Sequence, residues 1–143
     1  RNDAGKVSKI RTVKVTESVS LVSSKKDVRD RLIDIQRSLA IGSDIVLDGR
    51  DIGTTVFPNA DYKFFLSAEI EVRAKRRYDE LSEDQKSKIS YSDICSMIEE
   101  RDKIDCNRKY SPLVKADDAV SIDTTHLSLD EQVKKLVNFI KIN

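Results

Sequence analysis

The strongest constraint on the fold is a short apolar run that ends directly in charged residues. Ile45, Val46 and Leu47 are followed at once by the segment Asp48-Gly49-Arg50-Asp51. A buried strand that ends in charged side chains is typical of parallel sheets, which present their chemistry at the carboxyl edge. The run therefore predicts a buried strand, with Arg50 and Asp51 placed where a ligand binds.

Other apolar patterns predict helices and strands in alternation. Four residues at spacings of four, three and four (Val28, Leu32, Ile35 and Leu39) predict a helix over 26–40, which Gly42 ends. The other predicted elements are a weak exposed strand over 8–15, a polar break over 20–24, a turn over 58–61, a buried strand over 62–66, a helix capped by Ser67, a mobile polar loop over 81–90, a helix from near Ser90 to Arg108, a strand over 119–123, and a final helix after the capping sequence Ser128-Leu-Asp-Glu131. This order predicts the α/β class with a largely parallel sheet.

Composition limits the classes of function. The 143 residues suit one domain, or one domain with a small inserted lobe, and a net charge of +1 gives no global field for nucleic acid. Anion binding must therefore come from locally placed arginines. Without a membrane-length apolar run or a leader, we expect a soluble cytoplasmic protein. Two cysteines and one histidine fit no metal or catalytic-triad spacing, so we predict reduced thiols and no metal ligands.

Three groups of charged residues are candidates for chemistry, and each has a plain structural alternative. Arg50 and Asp51, between two glycines, suit phosphate and base contacts, or form a surface ion pair at a turn. Arg101, Asp105 and Arg108, spaced four and three, share one helical face and bind a sugar and an anion, or form ordinary pairs on a solvated helix. The third group, beside the polar loop, closes over phosphates or lies on a solvated face; its members are Arg73, Arg76 and Arg77.

Several segments together resemble the bacterial-type cytidylate kinases, which are P-loop nucleoside monophosphate kinases. The resembling segments are Asp48-Gly-Arg-Asp-Ile-Gly-Thr-Thr-Val-Phe-Pro58, Arg73-Ala-Lys-Arg-Arg-Tyr78, Glu100-Arg-Asp-Lys-Ile-Asp-Cys-Asn-Arg108 with Pro112-Leu113, and Ile122-Asp-Thr-Thr-His-Leu-Ser128. They are collinear with the family pattern from about residue 10 to the C-terminus. The resemblance implies a kinase-like parallel sheet flanked by helices, with part of a small inserted CMP-binding lobe over 1–40, the C-terminal part of the core over 41–143 and a lid over about 76–92.

The resemblance also implies an activity and roles for individual residues. It implies transfer of the ATP γ-phosphoryl group to CMP or dCMP with Mg²⁺, by a monomer, with no nucleic acid or membrane partner. For the acceptor nucleotide, the implied roles are cytosine binding by Ser20, Arg29 and Asp51, monophosphate binding by Arg50 and Arg108, and pentose contact by Arg101 and Asp105. For ATP, the lid residues Arg76 and Arg77 are implied to contact the phosphates. The expected catalytic residues are therefore Arg76, Arg77 and Arg108.

The sequence departs from the family pattern at its N-terminal end. The sequence lacks a Gly-x-x-x-x-Gly-Lys-Ser/Thr phosphate loop and the strand that precedes it in the family. We therefore expect that this stretch needs a separate or unseen N-terminal segment for activity. The alternatives are a truncated, non-catalytic CMP-binding remnant, and a nucleic-acid-binding protein, which the balanced charge and the acid-paired arginines disfavour.

Overall fold

The structure, a computed structural model, describes residues 13–142, apart from the side chains at 13, 14, 16, 17, 20 and 142. The helices are α1 Val13–Ser23, α2 Lys26–Leu39, α3 Ile70–Asp79, α4 Glu83–Lys86, α5 Tyr91–Asn107 and α6 Leu129–Ile142. The strands are β1 Phe64–Ser67 and β2 Val120–Asp123, and one π-helical turn spans Ile52–Val56. Across this span no helix has both the length and the apolar character needed to cross a membrane.

A small parallel sheet stands between helices, as the α/β prediction requires. β1 pairs with β2 in parallel, with Phe64 opposite Val120 and Leu66 opposite Ile122. One face of the sheet packs on α6, where the Phe139 ring lies edge-on to Phe64 with ring centroids 5.5 Å apart. The predicted class and the parallel pairing are confirmed, and the chain's one described sheet has two strands.

The main apolar core joins α3 to α5. Ala74 of α3 and Ile94 of α5 are buried together with Leu81, which follows α3. Tyr78 and Ile98 pack against this cluster. This contact fixes the two helices relative to each other, and thereby fixes the charged C-terminal half of α5 beside α3.

Helix ends follow local side-chain chemistry. The predicted capping box before α6 is confirmed, since the Ser128 amide donates to Glu131 Oε2 at 2.8 Å and the Glu131 amide to Ser128 Oγ at 3.4 Å. The helix predicted from near Ser90 is also confirmed, and Ser90 and Asp93 form its capping box. Gly42 has φ +73°, in the left-handed region that favours glycine after a helix.

Two strand predictions are wrong in the described residues. Ile45–Leu47 is neither a strand nor buried; Val46 is fully exposed. An apolar run becomes a buried strand only when other strands pair with it, and the described sheet consists of β1 and β2 alone. The strand predicted over 8–15 falls partly outside the described residues, and its end, from Val13, belongs to α1, because helix packing against α2 and α5 outweighs a weak alternation.

Three boundary predictions also need correction. The polar break expected over 20–24 is confined to Ser24 and Lys25, because α1 continues to Ser23. Ser67 does not cap α3; it ends β1, and its carbonyl accepts from the Thr124 amide at 2.8 Å. The loop expected over 81–90 contains α4, whose start is stabilised by a capping box that pairs Ser82 with Gln85.

Candidate functional site

Two buried carboxylates surrounded by four arginines form the most highly charged part of the described interior. Asp51 and Asp105 are 3% and 2% exposed. Asp51 immediately precedes the π-helical turn, and Asp105 lies in the last turn of α5. The arginines come from α2, from the segment before the turn and from the end of α5; they are Arg29, Arg50, Arg101 and Arg108. We call these six residues the arginine–aspartate cluster.

Asp51 is bound by an arginine from a different part of the chain. Arg29 Nη2 of α2 donates to Asp51 Oδ2, and both side chains are buried. Arg108 Nη2 lies 3.9 Å from Asp51 Oδ1, which is an ion-pair distance rather than a hydrogen bond. Asp51 therefore connects α2 to the end of α5.

Asp105 gathers three arginines. Arg50 Nε donates to Asp105 Oδ2 at 3.1 Å, Arg101 Nε lies 3.7 Å from the same oxygen, and Arg108 Nη1 lies 3.5 Å from Oδ1. Arg108 also donates from Nε to the Ser111 carbonyl at 2.5 Å. Ser111 has φ +51°, an unusual value for a residue with a side chain, so the loop after α5 holds a strained conformation beside Arg108.

The cluster carries more positive than negative charge, and some of its donors are unused. Four arginines and two aspartates give a formal charge of +2. Burial lowers the pKa of Arg108, and the nearby charge of Arg29 lowers it further. Arg101 likewise has a lowered pKa, through burial and then the charge of Arg50. Three buried nitrogens in the described chain lack a hydrogen-bond partner: Arg29 Nε, Arg101 Nε and Arg108 Nη2. This arrangement suits a doubly charged anion.

A cavity of about 220 Å³ adjoins the cluster between α3 and α5. Its polar lining is Arg50, Arg73, Arg77, Arg101 and Asp102, and its apolar lining is Leu81, Ile89, Ile94, Met97 and Ile98. Arg50 and Arg101 belong to both the cavity wall and the cluster. Arg73 is held in the wall, because Nη1 donates to Asp102 Oδ2 at 2.6 Å and Nε to the Ala68 carbonyl at 3.0 Å.

The remaining predicted site residues occupy different places. Arg77 lines the cavity and donates to Glu80 Oε2 at 3.2 Å. Arg76 instead donates into the loop after β2, to the Thr124 carbonyl at 2.6 Å, to Thr124 Oγ1 at 3.2 Å and to the Leu127 carbonyl at 3.2 Å. Ser20 lies in α1, and its side chain falls outside the described part.

Sequence reasoning missed two residues that hold the site's surroundings. Arg37 lies away from the apolar positions that predict its helix, yet it hydrogen-bonds the π-helical turn. Its signal was its position on the same helix as Arg29, eight residues later. Asp102 pairs with Arg73 in the cavity wall, and its place directly after Arg101 in the charged segment of α5 is the signal that could have found it. Over residues 13–142 no three His, Cys, Asp or Glu side chains are grouped to hold a metal ion.

Comparison with known proteins gives one consistent family. The sequence model of the family described as cytidylate kinase matches residues 2–142. A cytidylate kinase of Fusobacterium nucleatum is 48% identical over 97% of this chain and 62% of its own length. Those of Flavobacterium psychrophilum and Halalkalibacterium halodurans are 45% and 46% identical, over 97% and 98% of this chain and 61% and 63% of their own lengths. The chain thus spans about six-tenths of the length of these relatives.

Proposed function

Because the chain belongs to the cytidylate kinase family, we propose that it is the acceptor-nucleotide part of a (d)CMP kinase. The reaction transfers the γ-phosphoryl group of ATP to CMP or dCMP, giving CDP or dCDP and ADP. The observation that carries the proposal is the arginine–aspartate cluster, since its two buried carboxylates and excess of two positive charges match a base and a phosphate on one ligand.

In this proposal Asp51 and Arg29 recognise cytosine, together with Ser20. The amino group of cytosine is a donor that suits a carboxylate, and its carbonyl accepts from a guanidinium. Uracil presents a carbonyl where cytosine has the amino group, so a buried carboxylate disfavours it. The buried Arg29–Asp51 contact supports this role, because it holds both partners in one orientation before a ligand arrives.

The other four residues of the cluster are proposed to bind the phosphate and the pentose. Arg50 and Arg108 bind the monophosphate, which carries close to two negative charges at neutral pH. Arg101 and Asp105 face the pentose, where a carboxylate accepts from a hydroxyl. Support comes from Asp105, which holds Arg50 and approaches Arg101 and Arg108, so that the cations lie close together despite their mutual repulsion.

The donor side of the reaction is assigned to a lid over about 76–92. Arg77, on the wall of the cavity beside Arg50 and Arg101, is proposed to contact the ATP phosphates and to stabilise charge on the transferring group. Arg76 is proposed to join it on lid closure, by exchanging its bonds to Thr124 and Leu127 for phosphate oxygens. Closure of this kind also excludes water from the phosphoryl group.

The phosphate-binding loop is proposed to lie outside these 143 residues. The sequence contains no Gly-x-x-x-x-Gly-Lys-Ser/Thr motif. The run Ile45–Leu47 is apolar, exposes Ile45 and Val46 and leads straight to Arg50 and Asp51, so we propose that it faces a part of the protein outside these residues. Residues 1–40 then form part of the CMP-binding lobe, and residues 41–143 form the C-terminal part of the kinase core.

Magnesium, location and assembly complete the proposal. Asp51 and Asp105 are occupied by arginines, so the described residues do not fit a magnesium site, and Mg²⁺ is proposed to arrive bound to the ATP phosphates. We place the enzyme in the cytoplasm as a monomer that acts on ATP and CMP or dCMP, without nucleic acid or membrane partners.

The deciding experiment measures ADP formation from ATP with CMP, dCMP or UMP, using the complete polypeptide whose mass is first checked by intact mass spectrometry. Turnover with CMP or dCMP and little with UMP is expected. Failure of CMP to bind in calorimetry rejects the proposal. CMP binding without ADP formation supports the second candidate, a non-catalytic CMP-binding remnant, for which the arginine–aspartate cluster alone would suffice.

A further inference from the structure

The π-helical turn that follows Asp51 is held at both ends by arginines of α2. At its start, the Asp51 carbonyl accepts from the amides of Thr55 at 2.9 Å and Val56 at 3.2 Å. At its end, Arg37 Nε donates to the Val56 carbonyl and Nη2 to the Thr55 carbonyl, each at 2.9 Å. The last carbonyls of a helical turn lack partners within the turn, so one guanidinium satisfies two of them.

The same helix carries Arg29, which contacts the Asp51 carboxylate at the start of the turn. Eight residues separate Arg29 from Arg37, which corresponds to about 12 Å along α2 and about 80° around its axis. The two guanidiniums therefore reach opposite ends of one five-residue turn from one rigid helix. A shift of α2 at Arg37 must also shift Arg29 against Asp51.

The placement of α2 depends on its contacts with the turn. Val56 is 1% exposed, so its end of the turn lies in the interior, where the carbonyls that Arg37 bonds are held. On α2, Ile33 is the buried apolar residue, whereas Leu32, Ile35 and Leu39 are exposed. Apolar packing thus holds α2 weakly among the described contacts, and directional hydrogen bonds carry more of its placement.

We propose that Arg37 is a positioning residue for nucleotide recognition: by bonding the Thr55 and Val56 carbonyls, it sets α2 so that Arg29 meets Asp51. The expected effect on CMP binding rests on the proposed function. The contact of Arg37 with the turn does not depend on that function. Arg37 does not touch the nucleotide in this proposal. Its influence passes through the rigid helix to Arg29 and through the turn to Asp51.

The binding test uses Arg37→Ala and Arg37→Lys in the complete polypeptide, with Arg31→Ala, an exposed arginine on the same helix, as the matched control. Arg37→Ala is expected to raise the Kd of CMP about tenfold in calorimetry and to leave the KM of ATP within about twofold, since the two hydrogen bonds of one exposed guanidinium are lost. Arg37→Lys should restore only part of this, because an ammonium does not bridge both carbonyls as the guanidinium does. Arg31→Ala should match wild type.

A double-mutant cycle separates positioning from general stability. If Arg37 acts through Arg29, then Arg37→Ala adds less than about a twofold loss of CMP affinity in an Arg29→Ala background. Losses that multiply independently, an unchanged Kd of CMP for Arg37→Ala, or equal losses for CMP and ATP overturn the inference.

Amide hydrogen exchange keeps the test independent of the proposed function. Arg37→Ala should speed exchange of the Thr55 and Val56 amides by about tenfold, because the turn loses its end contact. If wild type does not bind CMP, the proposed function fails, and faster exchange in Arg37→Ala still supports the role of Arg37 in holding the π-helical turn. Unchanged exchange rates at both amides reject the positioning role whatever the binding result.

Discussion

Replacing Asp105 with Asn tests whether the cluster is held together by its buried charges. The change keeps the size of the side chain and removes one of two carboxylates, so the formal charge of the cluster rises from +2 to +3. The Asp105 and Arg108 side chains are each 3% exposed, whereas Arg50 and Arg101 are 41% and 34% exposed. Water therefore screens the charges of Arg50 and Arg101, so the loss of the Asp105 charge mainly affects the buried Arg108.

Removing one partner of a fully buried ion pair destabilises a protein by about 3–5 kcal/mol. Because two of the three arginines are partly solvated, we expect Asp105→Asn to lower the free energy of unfolding by about 2–3 kcal/mol. That loss corresponds to a fall in Tm of about 5–10 °C. Urea denaturation and thermal unfolding of the complete polypeptide measure both quantities.

Asp102→Asn is the matched control, three residues earlier on the same helix. Asp102 pairs with Arg73 at 2.6 Å, but the two side chains are 30% and 33% exposed, so a loss below about 1 kcal/mol is expected. Added inorganic phosphate should also raise the Tm of Asp105→Asn more than that of wild type, by countering the extra positive charge. Equal losses for the two variants would refute the argument from burial.

Four further substitutions in the complete polypeptide test the proposed roles of Asp51, Arg76 and Arg77 and the ionisation of Asp123. Asp51→Ala should raise the KM of CMP by about 10–100-fold, because cytosine loses a charged hydrogen-bond partner, and the KM of ATP should be nearly unchanged. Equal increases of the two KM values in steady-state assays contradict the proposed contact of Asp51 with cytosine. Arg76→Lys should lower both kcat and Tm, because Arg76 bonds the Thr124 and Leu127 carbonyls of the loop after β2. Arg77→Lys should lower kcat about 10–100-fold with a smaller loss of Tm, because its contact with Glu80 lies within one short segment. An unchanged Tm for Arg76→Lys speaks against this. Hydrogen bonds from the hydroxyl and then the amide of Thr125 lower the pKa of Asp123 below its usual 3.8, so ionised Asp123 stabilises the fold. Wild type should therefore exceed Asp123→Asn in free energy of unfolding at pH 7, with the gap closing as the pH falls through the lowered pKa; urea denaturation showing the same gap at pH 7 and pH 3 contradicts it.

Local patterns predicted the elements whose formation depends on local chemistry. α2 follows from an apolar stripe, and α6 from a stripe preceded by the Ser128–Glu131 capping box. The approach of Arg101 to Asp105 follows from a spacing of four on one helix. Each of these features depends on residues within one or two turns of one another, so a sequence displays them directly.

The wrong and missed predictions involve partners distant in sequence. Ile45–Leu47 has the composition of a buried strand, but burial depends on neighbouring strands that the run itself does not specify. The contact of Arg50 with Asp105 joins residues 55 positions apart, and only the family resemblance placed the two together. Arg37 has the appearance of a solvated helix residue, because backbone carbonyls leave no trace in a sequence as hydrogen-bond acceptors.

Asp51 and Asp105 bind different arginines, and this explains how hydrogen-bond donors of the cluster remain available to a ligand. Arg29 is hydrogen-bonded to Asp51, and Arg50 to Asp105. Arg101 and Arg108 approach Asp105 only at 3.7 and 3.5 Å, distances at which attraction persists but a good hydrogen bond does not form. A phosphate that enters beside Arg108 gains hydrogen bonds to Nη2 without breaking an existing one. We therefore expect the aspartates to oppose arginine repulsion while leaving donors for the phosphate of the proposed acceptor nucleotide.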